Sequence, residues 1–421
     1  MSDVETILPG TGRGTARSAV EGGPRPAVRA ADPLHQPAAG PPPRAGEDWD
    51  LPSTRNEAWR WSDLAALPTL AAAPRGPAPA ALPLLDCGDG PVLVFVDGVL
   101  DPARSRLGPV LLGAVETEDH PLARHVPSEG WTLQLGRDHA PAGLVQIVHV
   151  STGAADHLPA AIRLDADAQA SVVETFVGTG WANRLTRLEL AKGARLMIAR
   201  RLLGDSGFVS LTDRAQVGEG ASLVVTTLAA GGVDTRLDAH VAIAGDAGFA
   251  EVGGALLARG RQRHDANLVL RHEAPSGMSR QVWRSVAGDG ATCSVAARVE
   301  VARAAQKTDG EQSLKGLLLA RGATVNLKPE LEIFADDVKC AHGATVGELN
   351  RDALFYLASR GVPAGEARAL LVQAFVADAL ARVGEPAVRD AFEADALVWL
   401  SQTPLPSGER EGPALRSSVG G

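Results

Sequence analysis

The chain has 421 residues, 45% hydrophobic and 22% charged, with a formal net charge of −9. This is an ordinary soluble composition, long enough for two to three domains. It contains no apolar run of the ~18 residues a membrane span needs, and its acidic balance excludes a general nucleic-acid binder.

Residues 1–48 are rich in Pro, Gly, Ala and Arg without apolar periodicity, and a disordered tail is expected there. Residues 402–421 have the same texture. Structure is expected from Trp49, with an N-terminal mixed helical region, an α/β segment, over 49–139. Within it, Asn56 to Leu64 carries Trp59 and Trp61 and reads as a short helix with an aromatic anchor. Val92-Leu93-Val94-Phe95-Val96 reads as a buried strand, and Asp97-Gly98 as a hairpin turn.

From about 140 to 347 the apolar stretches are short and β-branched. A turn pattern with alanine recurs at Ala170, Ala194, Ala221 and Ala247, in steps of 24, 27 and 26. Later copies centre on Ala291, Ala323 and Ala344. Their irregular steps of 44, 32 and 21 are expected to mark insertions. A near-constant period with strand composition points to a β-helix, with a small residue at each turn so that coils stack closely. A β-sandwich with Gly-Ala turns is the alternative the pattern leaves open.

Residues 348–401 read as a helical domain. Asn350 is an N-cap and Gly361, followed by Pro363, a helix stop. Ala367, Leu370, Leu371, Ala374 and Phe375 make one apolar helix face. A third helix starts near Pro386, with Val388, Ala391, Phe392, Ala396 and Trp399 on one face. These helices either cap the last coil, whose open edge would expose backbone groups, or dock a partner. Tyr356, the sole tyrosine, is a core or an interface aromatic.

Enzyme signatures are absent. There is no G-x-x-x-x-G-K-[ST], no H-E-x-x-H, no G-x-S-x-G and no C-x-x-C. No catalytic residues are assigned, and no pair of carboxylates stands out as acid and base. Three cysteines, Cys87, Cys293 and Cys340, make no disulfide framework, and there is no basic-then-apolar leader. Both features fit a reducing cytoplasm. Cys87 and Cys293 have no histidine nearby and read as small buried hydrophobes. His264 and His272, amid Arg261, Arg263 and Arg271, read as a solvated or interface strand. Cys340 and His342 are different. Two apart on a strand, they project from one face and offer a thiolate and an imidazole to one metal ion. Two donors are an incomplete site, so at least one more must come from elsewhere in the chain or from a partner.

Three stretches resemble the SufB/SufD family of iron–sulfur cluster assembly proteins, the SufD branch in particular. Arg55 to Leu64 is similar to the family's R-x-E-x-W-R-Y-T-x-L segment, with Trp61 and Ser62 replacing tyrosine and threonine. Phe95-Val96-Asp97-Gly98 resembles its short hairpin. Cys340 to Gly361, CAHGATVGELNRDALFYLASRG, is the most specific, and Gly343 stands where SufB proteins typically carry glutamate. The resemblance implies a mainly β protein: a right-handed parallel β-helix core flanked by the N-terminal α/β segment and the C-terminal helical domain. It implies a non-catalytic scaffold subunit of the SUF system, working in a SufBCD-type complex in the cytoplasm. The β-helix would pair with a SufB-like paralogue, and the C-terminal helices would bind a SufC-like ABC ATPase. Residues Phe355, Tyr356, Arg360, Leu371 and Phe375 are expected at partner contacts. His342 and Cys340 would hold iron or a transient iron–sulfur cluster at the interface, shared with the SufB partner. A reduced flavin is associated with the assembled complex, although no pattern here marks a flavin site. Homodimers occur when such chains are alone, and neither nucleic acid nor membrane is an expected partner. The competing expectation is an enzyme, a β-helix polysaccharide lyase or hydrolase.

Overall fold

The structure, a computed structural model, describes residues 50–86, 88–117 and 120–402. Trp49, Cys87 and both expected tails lie outside the described residues, apart from Gln402, which ends the final helix.

The strands are β1 (Val92–Val96), β2 (Val99–Leu100), β3 (Val110–Ala114), β4 (Glu129–Leu135), β5 (Val145–Leu164) and β6 (Gln169–Leu190). After these come β7 (Arg195–Leu202), β8 (Ser206–Val217), β9 (Ser222–Ala229), β10 (Asp234–Ile243), β11 (Phe249–Ala258) and β12 (Arg263–His272). The last are β13 (Met278–Ala287), β14 (Thr292–Val301), β15 (Thr308–Leu318), β16 (Thr324–Ile333) and β17 (Val338–Glu348). From β5 onward every pairing is parallel: β5 pairs with β6 and β6 with β7, and from β6 to β15 each strand also pairs with the next but one. The front wall joins the first halves of β5 and β6 to β7, β9, β11, β13, β15 and β17. The back wall joins their second halves to β8, β10, β12, β14 and β16. The core is therefore a parallel β-helix of about eight turns.

One corner sets the period. Residues 167, 193, 220, 247, 276 and 307 all have left-handed backbones, in steps of 26, 27, 27, 29 and 31. The residue after each of the first four is small and donates its amide three residues back: Ala168, Ala194, Ala221 and Gly248, at 3.1 to 3.2 Å. The three alanines there are buried, so the role expected of a small turn residue holds. The alignment needs correction, however. Ala168 and Gly248, not Ala170 and Ala247, are the equivalents of Ala194 and Ala221. Ala291 and Ala323 belong to the opposite corner, leading into β14 and β16, and Ala344 lies inside β17. The steps of 44 and 21 thus come from a change of position in the coil, whereas the step of 32 lies within one corner and reflects a coil three residues longer than the 29 before it, as the expected insertions imply.

The two ends of the coil differ. At the N-terminal end β1 pairs with the first half of β5 and β4 with its second half, both in parallel. Asp97 and Gly98 both take positive φ in the turn from β1 to β2, the type I′ geometry a two-residue hairpin needs. Among its described residues, the region 49–139, expected as mixed helical, holds four strands but only one short α-helix, α1 (Leu67–Ala71), with three 3₁₀ turns. The expected Asn56–Leu64 helix is one of those turns, Glu57–Trp59, capped by the Asn56 side chain. Trp59 is buried there and lies 4.2 Å from the Arg236 guanidinium on the back wall's outer face. At the C-terminal end, β17 pairs only with β15 and β16 only with β14 among the described residues.

Three helices follow: α2 (Arg351–Ser359), α3 (Ala364–Leu380) and α4 (Pro386–Gln402). Asn350 caps α2, accepting from the Ala353 amide at 3.0 Å, and Gly361 ends it at φ 84°. α3 and α4 lie outside the front wall, where Val372, Val376, Leu380, Phe392 and Trp399 bury against Leu228, Leu257 and Val286. Two buried wall arginines fix them: Arg201 to Asp395 of α4 at 2.7 Å, and Arg284 to Asp378 of α3. They do not cap the last coil. The expected α3 face also needs correction. Of its five residues only Ala367 is buried, while Leu370 and Ala374 are exposed and Leu371 and Phe375 half-buried. α3 is apolar nearly all round, so its periodicity does not identify the packed side. The contact with the wall selects Val372, Val376 and Leu380.

Candidate functional site

Inside the coil, equivalent residues of successive front strands stack in register. One column runs Val145, Val172, Ile198, Val225 and Val252. In the last three coils the same wall position becomes Gln281, then Gln312, then His342. A neighbouring column runs Ala170, Leu196, Leu223, Ala250, Ser279, Gly310 and Cys340. These two columns thus turn from apolar to polar toward the open end, where Cys340 and His342 terminate them.

Cys340 faces inward, packed against the main core, with its Sγ 3.4 Å from where a Gly310 Cβ would stand. Burial pushes its thiol up, the Asp309 carboxylate adds to this, and the Gly310 amide opposes it. A thiol so placed stays protonated until a cation or partner stabilises the thiolate. His342, two residues on, shares that face of the strand but is exposed. Among the described residues no three His, Cys, Asp or Glu side chains form a metal-holding group. The pair therefore gains no third donor from this part of the chain. Its donor set, one soft thiolate and one imidazole, suits iron or a cluster completed by another chain.

The expected partner residues spread over the helical part. Phe355 and Tyr356 are 77% and 57% exposed, and Arg360 lies over the Tyr356 ring at 5.2 Å. Of the two roles open for Tyr356, the core one is excluded. Leu371 and Phe375 are half-buried on α3, and Phe375 packs against the wall cluster. Beside them a cavity of about 300 Å³ opens between α3 and α4, lined by Leu370, Ala374, Leu380 and Ala396.

Cys293 is buried in the core and its thiol is pushed far up by desolvation. His264 and His272, expected on a solvated or interface strand, are instead fully inside the coil. β12 alternates, so Arg263 and Arg271 face out while both histidines face in, where burial lowers each to about 4. Sequence reasoning also missed an ion network inside the early coils. Arg200 binds Glu174 at 2.6 Å and Asp213 at 2.5 Å, and Arg184 pairs with Asp156. His149 joins the two pairs, accepting from Arg184 Nε at 3.2 Å and facing Glu174 at 3.4 Å. Only the register between coils reveals these contacts.

Residues 148–375 match the family model described as the SUF system FeS cluster assembly SufBD core domain. The chain is 28% identical to the iron–sulfur cluster assembly protein SufD of Escherichia coli over 258 residues, 58% of this chain and 61% of that protein. It is 30% identical to the chloroplastic protein ABCI7 of Arabidopsis thaliana over 237 residues, 54% of this chain and 50% of that one. A SufBD family protein of Synechocystis sp. is 39% identical over 124 residues, 30% of this chain and 27% of its own length. The matches thus span between about a quarter and three fifths of these relatives. With a family model covering more than half of the chain, and with the β-helix that the resemblance implied, this protein belongs to the SufB/SufD family of iron–sulfur cluster assembly proteins.

Proposed function

We propose that the chain is a non-catalytic scaffold subunit that holds iron or a nascent iron–sulfur cluster at a joint between two β-helices. The observation that carries this reading is the open C-terminal edge. β17 offers an unpaired strand edge, and its lumen-facing Cys340 and His342 form half of a ligand set. An unpaired edge is a template for another strand. A SufB-like paralogue adding its own terminal strand would both cover that edge and bring the missing donor. Iron and cluster are cargo here, and Cys340 would bind as thiolate and His342 as neutral imidazole.

The exposed aromatic pair on α2 and the cavity between α3 and α4 favour the helical part as the dock for a SufC-like ABC ATPase. No helix among the described residues is long and apolar enough to cross a membrane, and a cytoplasmic location is part of the proposal. The lyase or hydrolase alternative rests on the solenoid architecture alone, which unrelated functions share.

The test is anaerobic purification of tagged protein from its host, with partners identified by mass spectrometry and iron and sulfide assayed. Recovery of a β-helix paralogue and an ABC ATPase, with iron lost in His342→Ala, supports the proposal. An iron-loaded complex unchanged by His342→Ala refutes the ligand role.

A further inference from the structure

Gln312 is 2% exposed and Gln281 is fully buried, both inside the coil on the column that ends in His342. Gln312 Nε2 donates to Gln281 Oε1 at 2.6 Å and to the Ala297 carbonyl, across on the back wall, at 2.8 Å. A carbonyl only accepts, so the nitrogen end of the Gln312 amide is fixed there. Its oxygen end, Oε1, is buried with no hydrogen-bond partner among the described residues. Leaving a buried amide oxygen unpaired is costly, because it gives up water and gains no partner. A neighbour that supplies an N–H is therefore favoured.

The next residue on the column is His342, in register with Gln312. Adjacent parallel strands are ~4.8 Å apart, and the Gln312–Gln281 bond shows that side chains on this column bridge one such step. We propose that Gln312 is the positioning residue for His342: its Oε1 accepts the imidazole N–H, fixing one tautomer and turning the other ring nitrogen toward the open end. This deepens the scaffold reading and rests on it for the identity of the cargo, but the hydrogen bond itself does not. Histidines that hold metals commonly donate their second nitrogen in this way, and removing the acceptor costs about 10–100-fold in metal affinity.

The test labels the histidines of the full-length chain with ¹⁵N and reads the ring nitrogens of His342, assigned with His342→Ala, at alkaline pH. The native chain should show one dominant tautomer, with one protonated and one free nitrogen resolved. Gln312→Met, nearly isosteric but without the acceptor, should move the two shifts toward each other as tautomers mix. Gln312→Glu, which keeps an acceptor oxygen, should restore the separation. A mixed tautomer in the native chain, or shifts unmoved in Gln312→Met, overturns the proposal.

A cobalt(II) titration of the co-purified complex separates this inference from the reading it rests on. If Gln312→Met mixes the tautomers but His342→Ala leaves cobalt binding intact, the positioning holds and the ligand role fails. If His342→Ala abolishes binding while Gln312→Met leaves the tautomer alone, the ligand role holds and the positioning falls. If both hold, Gln312→Met should weaken cobalt binding about 10–100-fold.

Discussion

The two ends of the β-helix face the same problem and meet it differently. At the N-terminal end β1 and β4 continue both walls, and Phe95, Trp131 and Leu133 close the core with almost no exposure. At the C-terminal end β16 and β17 have free edges among the described residues, Val325, Leu327 and Val338 are only partly covered, and Val346 is 46% exposed. The helices available to cover that edge lie on the front wall instead. This difference between the ends is the feature on which the proposed joint with a partner rests. The interiors differ in the same sense. The early coils hold buried ion pairs, two arginines against three carboxylates, and the late coils hold neutral amides leading to His342.

The sharpest way to break this comparison is to remove one charge from the closed end. Arg200→Met leaves Glu174 and Asp213 buried without their shared cation, and should cost about 3–5 kcal/mol in urea unfolding. Gln312→Met in the neutral column should cost about 1–2 kcal/mol. Equal losses would mean that the two interiors are energetically alike. Acid unfolding tests the same network. Burial alone would raise Glu174, but Arg200 and His149 bring it down from an ordinary 4.5 to about 2. A lowered folded-state value contributes stability above the unfolded one, which is lost as pH falls from about 4.5 toward 2. Hydrogen exchange at graded acidity should therefore show the coils around Glu174 opening in that window.

Truncation at the two ends makes a matched pair. Phe95→Ala should cost about 3–5 kcal/mol, because a buried aromatic leaves a cavity. Val346→Ala, already half in water, should cost less than about 1 kcal/mol. Val346→Asp carries the contrast to assembly. It should leave the thermal midpoint of the lone chain nearly unchanged, yet lower recovery of the β-helix paralogue at least tenfold. If Val346→Asp unfolds the lone chain, or leaves recovery intact, the open end is not the joint.

Different parts of the sequence were legible for different physical reasons. The repeat showed because every coil needs a tight corner, and a left-handed residue followed by a small one recurs at nearly fixed length. Its phase did not, because Ala170 and Ala247 stand one or two residues from the true positions and both corners use alanine. Cys340 and His342 were visible because a two-residue spacing on a strand is local. Gln312, Arg200 and Glu174 were invisible because their partners lie one coil away, and a 26- to 31-residue step has to be known before such pairs can be seen. His264 and His272 were misplaced because outward arginines one residue away on β12 gave the strand a solvated look. On α3, apolar residues on several sides made more than one face plausible.

The smallest effect falls where the open end meets the helices. α2 buries no side chain, so little tertiary packing holds it. Its order depends on the Asn350 cap, on Gly361 closing the other end, and on contact with α3. Asn350→Ala should cost about 1 kcal/mol, confined to α2, and should appear as faster amide exchange at Ala353 and Leu354 without a shift in global unfolding. An exposed, weakly held helix carrying Phe355 and Tyr356 directly after β17 is what a segment ordered by a partner requires. If α2 docks the ATPase, Asn350→Ala should weaken that association by about the same 1 kcal/mol, roughly fivefold, because the partner must then order a frayed helix. Unchanged affinity would place the ATPase on the cavity between α3 and α4 alone, leaving the aromatic pair of α2 to the β-helix joint.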